Sequence, residues 1–393
     1  MSTVIQVNEI ISLAGGVEVY ISQLQPLLLE LGWESHWIGV TRKGMHVTID
    51  STEPGLCWHG VLSDFAASPA AHLIQDGKGL FHVHSVSDPE FIQSLFEIAP
   101  VVRTMHEPRV FCPGHGKYWA KSETPCTDAT GLHCLVHAYT QQCCTRHPKR
   151  LLPAFLNTNF EIKEASHRYA CLVANSSYIF NEAVLAGIPL DKIRLLHYFT
   201  PVVPFSEDAQ TLPKIAFIGR LSRTKGVHHL LAALNIVRSV IPDVHLDLLG
   251  DGIDAKEFMA LANTLDLNRN LTFHGWADRE KVDRYLRNSS VVAFSSIYPE
   301  AFGIVGIEAM MRGKPIVAFD VGGVGDWLVN GTCGILVSPK NARQFADALV
   351  ALLSDPARAQ IYGRSGREIA MKKFHPMAHM KNLIRVYEGA MAR

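Results

Sequence analysis

The sequence predicts an α/β chain made of two doubly wound, Rossmann-like domains that face each other across a cleft. Three observations carry that prediction. Short β-rich runs alternate with longer amphipathic ones through most of the chain, the pattern of parallel sheets joined by helical crossovers. At 393 residues, 48% of them hydrophobic, the chain exceeds one ordinary core and has ample apolar content for strands buried on both faces. The alternation is interrupted by the polar segment from Pro204 to Pro213, which reads as a linker. The expected domains are 1–203, with a cysteine-rich insert spanning roughly 106–150, and 204–374.

In chain order, the expected strands of the first half are Val4 to Val7, His36 to Val40, Leu80 to His84, Val101 to Thr104, Cys171 to Ala174 and Ile193 to Leu196. Those of the second are Lys214 to Ile218, His245 to Leu249, Leu271 to His274, Val291 to Phe294, Pro315 to Ala318 and Gly334 to Val337. Helical periodicity is clearest at Val17 to Leu31, Val227 to Val240, Ala342 to Leu353 and Pro376 to Ala392. A further helix is expected from Phe302 to Arg312, closed by Gly313 and Pro315. Open α/β sheets bind ligands at the carboxyl ends of their strands, so the residues just past those ends are the candidates for chemistry.

One such end is rich in them. Glu300 precedes the expected helix start at Phe302 and Gly303, and Glu308 lies inside the helix, roughly 7 Å along its axis at 1.5 Å per residue. Free N–H groups between the two carboxylates favour an anion, most often a phosphate. The arrangement suits a diphosphate with a hydroxylated ring at each end, which describes a nucleotide sugar. Arg220 and Lys225 follow the strand Lys214 to Ile218 and offer fixed cations for a diphosphate leaving group. Gly15 and Gly16 end the loop after the first strand, where backbone can approach a ligand closely, and Glu18 is the acid one turn into the next helix. His82 and His84 alternate along one strand and read as packing or supporting residues.

Pro299 to Met310 resembles the E-x7-E signature of family 4 of the retaining glycosyltransferases, whose members have the two-Rossmann GT-B architecture. Ile215 to Gly226 is similar to that family's "GRL…KG" strand end, and Leu248 to Gly252 and Phe273 to Trp276 to its next two. Gly15-Gly16-Val17-Glu18 resembles its glycine-rich first loop, and Thr104-Met105-His106 its histidine after an N-domain strand. The resemblance implies a GT-B fold whose last helix, 375–393, crosses back to the N-terminal domain. It assigns Arg220 and Lys225 to the diphosphate, Glu308 to the ribose hydroxyls, Glu300 to the donor sugar, and His106 to the sugar or the reacting centre. Gly219, Gly250 and Gly275 would line the nucleotide site, and the amides of Phe302, Gly303, Ile304 and Val305 would complete it. The activity implied is metal-independent transfer of a hexosyl or N-acetylhexosaminyl group, with retention, from a nucleotide diphosphate sugar to a hydroxyl acceptor such as a glycan, a glycolipid or a small natural product. A sugar-nucleotide epimerase of the same shape and a non-catalytic nucleotide-sugar-binding protein are the alternatives. The segment Leu196 to Pro201 departs from the family's Asn-Gly pair before the linker, so the acceptor side is the least transferable.

Cys112, Cys126, Cys134, Cys143 and Cys144 crowd into a window rich in His and Gly. Structural zinc held by Cys112, Cys126, Cys134 and Cys143 would organise such a loop, with His115, His133 or His147 as substitutes. Free thiols and disulfides remain open, the latter disfavoured in a reducing compartment. Cys57, Cys171 and Cys333 read as ordinary thiols.

Lys plus Arg equals Asp plus Glu, 37 against 37, so no global field favours nucleic acid or an anionic membrane. No apolar run reaches the roughly 18 to 20 residues of a spanning helix, and the start leads into a strand without a signal-peptide pattern. A cytoplasmic protein is expected, with peripheral membrane contact left open.

Overall fold

The computed structural model describes residues 2–9, 15–41, 57–61, 74, 77–205 and 213–392, and of the expected linker only 204, 205 and 213 fall among them. It resolves into two compact units, one of residues 1–122, 126–197 and 376–393, the other of 123–125 and 198–375.

Along the first half run β1 (Ser2–Asn8), α1 (Gly16–Glu30), β2 (Trp33–Thr41), β3 (Cys57–Val61), β4 (Gly79–Val83), α2 (Pro89–Phe96) and β5 (Val101–Met105). The insert carries β6 (Tyr118–Trp119), β7 (Thr124–Pro125) and α3 (His133–Thr140). Then come α4 (Pro148–Phe160), which runs on through a π-helical turn at Glu161–Ala165, β8 (Cys171–Ala174), α5 (Ser177–Leu185) and β9 (Ile193–Leu195). The large sheet is parallel and seven-stranded, in the order β3-β2-β1-β4-β5-β8-β9. Strand β3 was not expected; five residues interrupted by Gly60 give too little alternation to announce a strand.

The second half contains β10 (Lys214–Ile218), α6 (Val227–Val240), β11 (His245–Leu249), α7 (Ala255–Thr264), β12 (Leu271–Phe273), α8 (Arg279–Asn288), β13 (Val291–Phe294) and α9 (Ile304–Met311). It ends with β14 (Ile316–Phe319), β15 (Gly334–Val337), α10 (Ala342–Leu353), α11 (Pro356–Lys373) and α12 (Pro376–Met391). Its parallel sheet has the order β12-β11-β10-β13-β14-β15. Both orders are the doubly wound kind, reversing beside β1 and β10, and that reversal opens a crevice at the strands' carboxyl ends. Strands β13 and β14 are buried at every residue, as a sheet covered on both faces requires. Helix starts are set by side-chain caps: Asp88 accepts from Phe91 N at 3.1 Å, Ser176 from Ile179 N at 3.1 Å and Asp278 from Lys281 N at 2.8 Å.

The longer run of the second unit spans Tyr198–His375 and so takes in residues before 204. Tyr198, Phe199 and Thr200 are buried in it; the Tyr198 ring meets Phe302 at 5.5 Å and Thr200 N donates to Phe374 O at 3.1 Å. Helix α12 belongs to the first unit, where it meets α1, β4 and β5.

The first unit also buries an ion pair. Arg103 Nη2 lies 3.2 Å from Glu161 Oε1, both side chains 1% exposed, and Tyr169 donates to Glu161 Oε2 at 3.0 Å. Arg103 further donates to Val86 O at 2.5 Å and Ser87 Oγ at 3.1 Å, tying the loop after β4 to the π turn. Removing one charge leaves the other buried without compensation, which costs about 3 to 5 kcal/mol. Glu161→Gln should therefore lose about that much in equilibrium denaturation; a loss under about 1 kcal/mol would show that the pair does not secure this loop.

Candidate functional site

In the second unit the two strands beside the crevice, β10 and β13, are followed by loops that are stitched together. Ile297 N donates to Thr224 O at 3.0 Å, Ser295 Oγ to Lys225 O at 2.9 Å and Ser296 Oγ to Thr224 O at 3.2 Å. Gly226 permits the approach: its φ is +66°, and a Cβ there would sit 1.9 Å from Ser295 O. Lys225 lies in a 3-10 turn, Arg223–Lys225, before α6 rather than at the start of that helix. Its Nζ is 2.5 Å from Glu300 Oε1, and the Glu300 backbone carbonyl accepts from Gly323 N at 2.7 Å. Arg220 is exposed and makes no ion pair among the described residues. Arg223, the basic neighbour, is taken up by Glu123 and Glu257.

Helix α9 begins at Ile304, two residues later than expected. Gly303 caps it with φ +91°, and a Cβ there would meet the Phe294 ring at 2.8 Å. Phe302 precedes the cap; its side chain is buried, stacks edge-on with Phe374 at 5.7 Å, and its carbonyl accepts from Trp327 Nε1 at 2.6 Å. The helix-start amides are those of Ile304 and Val305, since Gly306 N already donates to Gly303 O at 2.9 Å. Trp327 is a residue the sequence reading missed.

Glu308, one turn further, makes no side-chain hydrogen bond among the described residues. Burial pushes its carboxyl above the ordinary value, with Arg312 and Arg279 pulling it down and Asp283 adding to the rise. Arg312 itself is bound to Asp283 at 2.7 Å and to the Glu308 carbonyl at 2.8 Å, so it acts on the Glu308 carboxylate through charge rather than through a hydrogen bond.

The three glycines at neighbouring strand ends come together. Gly219 N donates to Leu249 O at 3.0 Å and Gly250 N to Gly275 O at 2.8 Å, and a Cβ on Gly250 would sit 1.9 Å from Gly219 O. Trp276 beside them is 70% exposed. Bare backbone beside a flat, exposed aromatic is suited to a nucleoside.

In the first unit Gly15 is the N-cap of α1 and Gly16 its first residue, but Glu18 folds back over them. A Cβ on Gly15 would lie 2.2 Å from Glu18 Oε2, and Asn8 Nδ2 donates to Glu18 Oε1 at 3.0 Å. A carboxylate so placed satisfies the helix dipole and makes that end less receptive to a phosphate.

His106 follows β5 and is buried in a polar network. His84 Nε2 is 2.8 Å from Gln6 Oε1, an acceptor, so His84 carries its proton there and its Nδ1 accepts from His106 Nε2–H at 2.7 Å. On the other side of Gln6, Tyr387 OH lies 2.7 Å from His82 Nδ1, and His82 Nε2 lies 2.7 Å from Thr104 Oγ1. Tyr20 OH meets His379 Nε2 at 2.9 Å, and His379 Nδ1 donates to His197 O at 2.8 Å. Burial, then mutual repulsion, holds His82 down at about 3, and burial brings His379 to about 4. Burial likewise keeps His84 and His106 well below their ordinary value. His106 is thus neutral, with Nδ1 as its acceptor nitrogen, and is no acid at neutral pH. Gln6 and Tyr387 went unnoticed in the sequence, although a glutamine inside the apolar strand Val4-Ile5-Gln6-Val7 was the available signal.

Among the described residues two sets of metal-suited donors occur, each with its ligand atoms within 4.8 Å of one another: Glu123, His228 and His229, and Asp128, His133 and His137. No cysteine is in either. The thiols of Cys112, Cys126, Cys134, Cys143 and Cys144 are free and partly buried; the Cys57 side chain lies outside the described residues. Among the described residues no helix is long and apolar enough to cross a membrane.

Residues 204–369 match the family model of glycosyl transferases group 1. The chain is 26% identical over 373 residues to a D-inositol 3-phosphate glycosyltransferase of Pseudarthrobacter chlorophenolicus, covering 90% of this chain and 85% of that protein. It is 32% identical over 155 residues to a glycogen synthase of Mycobacterium tuberculosis, a match that spans 39% of this chain and only 37% of that relative. Among solved structures it is similar to Anabaena HepE in complex with UDP, at 17% identity and a TM-score of 0.71 over 98% of both chains. A sucrose-phosphate synthase of Thermosynechococcus elongatus aligns at 22% identity and 0.73 over 99% of both chains. The structural likenesses give a two-domain α/β fold of the GT-B type, and residues 204–369 are similar to glycosyl transferases group 1.

The buried histidines make stability depend on pH. Their folded pKa values lie below the unfolded value, so the unfolded chain binds more protons as pH falls through 6.5, and stability is lost toward the folded values of about 4 for His379 and about 3 for His82. Each contributes a slope of up to about 1.4 kcal/mol per pH unit. His379→Gln, whose amide can serve both Tyr20 and the His197 carbonyl, should make denaturation between pH 6.5 and 5 shallower by about one such increment. An unchanged slope would mean that His379 titrates normally.

Proposed function

We propose that the protein is a retaining glycosyltransferase that moves a hexosyl or N-acetylhexosaminyl group from a nucleotide diphosphate sugar to a hydroxyl acceptor without using a divalent metal. The observation that carries this reading is the meeting of Lys225 and Glu300 across two stitched loops, beside the Gly303-capped helix start and the exposed Arg220. One ion pair then serves both ends of the departing bond. The Lys225 ammonium, Arg220 and the amides of Ile304 and Val305 neutralise the diphosphate, while the Glu300 carboxylate accepts hydroxyls of the sugar. Glu308, whose carboxylate accepts no hydrogen bond among the described residues, suits the two ribose hydroxyls. The bond from the sugar C1 to the β-phosphate oxygen breaks, and the acceptor oxygen bonds to C1 on the same face. The acceptor's proton goes to the leaving phosphate. The UDP bound in the HepE structure makes UDP and its sugars the first donors to test.

With a UDP-sugar donor, Lys225→Ala should lower kcat/KM by about 100- to 1000-fold, the usual loss on removing one preorganised charge donor. Wild-type turnover in that variant would remove Lys225 from the site. Glu308→Gln has a two-sided signature. Because burial raises this carboxyl's pKa, its ionised form burdens the fold as pH rises through the raised value, so the amide should raise Tm at neutral pH. It should also weaken UDP binding in calorimetry; a variant that binds UDP as well as the wild type would clear Glu308 of contact with the nucleotide. NMR of the first product from an α-linked donor should show an α anomer, and a β anomer would overturn retention. Donor binding without turnover would favour a binding protein instead.

A further inference from the structure

The start of α6 buries three nitrogens that nothing satisfies. Both ring nitrogens of His228 and Nε2 of His229 are shut off from solvent and meet no hydrogen-bond partner among the described residues. A buried polar atom left in this state is costly, and in a native structure it calls for a water or an ion. The surroundings explain the lack. The two imidazoles stand on the first turn of the helix with ring centroids 4.1 Å apart; His228 lies nearly parallel to the Phe258 ring of α7 at 6.3 Å, and His229 edge-on to Phe319 of β14 at 6.1 Å. Both phenylalanine side chains are fully buried and carry no polar atom. What the rings do meet is a carboxylate. Glu123, which belongs to the same unit as α6, brings an oxygen to within 4.8 Å of a nitrogen on each ring, and those two nitrogens are as close to each other. Glu123 is held at φ +52°, a left-handed conformation that costs a non-glycine residue about 1 to 3 kcal/mol and persists only where something over-determines it. Its Oε1 faces Arg223 Nε at 3.4 Å, but that guanidinium is also bound to Glu257 at 2.5 Å, so its charge is already balanced.

We propose that Glu123, His228 and His229 bind one zinc ion. Two imidazoles and a carboxylate are a donor set that suits zinc, and three protein ligands leave a fourth position for water. Bonds of about 2.0 to 2.2 Å draw the three donors inward from their present spacing. The ion gives one nitrogen of each ring the partner it lacks and holds Glu123 in its left-handed turn. It fastens the first turn of α6, which His228 enters three residues after Lys225 in the chain, and takes no part in the transfer itself. The second donor set, Asp128, His133 and His137, has less need of a metal: Asp128 Oδ2 already lies 3.4 Å from His137 Nδ1, and His133 is exposed to water.

Full-length protein stripped with a chelator should take up added zinc in calorimetry, and His228→Gln with His229→Gln should remove one equivalent of that uptake. His133→Ala with His137→Ala should leave it unchanged. Cobalt added to the wild type should give the weak visible bands of a nitrogen and oxygen site, a readout that needs no variant to fold. Zinc should also slow amide exchange over residues 123–124 and 227–231. Uptake that survives the paired substitution of His228 and His229, cobalt bound only with intense thiolate charge transfer, or no uptake of either metal would each overturn the proposal.

Discussion

The candidate site depends on the close approach of Gly226 to the Ser295 carbonyl. A side chain at Gly226 would part the loops after β10 and β13, and with them Lys225 from Glu300, residues that are 75 positions apart in the chain. Parallel strands put both loops at one edge of the sheet, and the reversal of strand order beside β10 leaves room for a ligand there. Helix α9 follows β13, and Gly303 bends the chain into it. Charge is thus concentrated locally in a chain whose net formal charge is zero.

The first unit treats polar groups in the opposite manner. Gln6, His82, His84, Thr104 and His106 are buried on the central strands or just past their ends, and nearly every donor is matched to a named acceptor. Such a network fixes tautomers and orientation, and incomplete pairing would be costly at this depth. It gives His106 a defined face and keeps its ring neutral. The helix start at Gly15 is occupied by the Glu18 carboxylate, which makes that end less receptive to an anion.

Most strands were legible because a buried parallel strand is an uninterrupted apolar run; eleven of the twelve expected strands fall within a residue or two of their observed bounds, and β2 starts three residues before the expected His36. What escaped depends on contacts between distant residues. Phe302 reads as the first helical residue because it is apolar, yet its side chain turns into a cluster with Tyr198 and Phe374, and Gly303 does the turning. Tyr198 to Thr200 read as the end of the first domain, since nothing local announces that Phe374 will receive them. The resemblance brought Arg220, Lys225, Glu300 and Glu308 together as candidates for one site. The direct Lys225–Glu300 contact was not legible, nor were Trp327 and the Gly322–Gly323 turn that hold Phe302 and Glu300 in place.

The central claim is that the helix start at Ile304 and the loop bearing Lys225 together hold a diphosphate. Amide hydrogen exchange on the full chain, with and without UDP, addresses it directly, because a bound phosphate hydrogen-bonds the amides that a helix start leaves open. Slowed exchange over residues 220–226 and 303–306 is the result expected. Saturating UDP that leaves those amides unchanged, while protecting another part of the chain, would contradict the account.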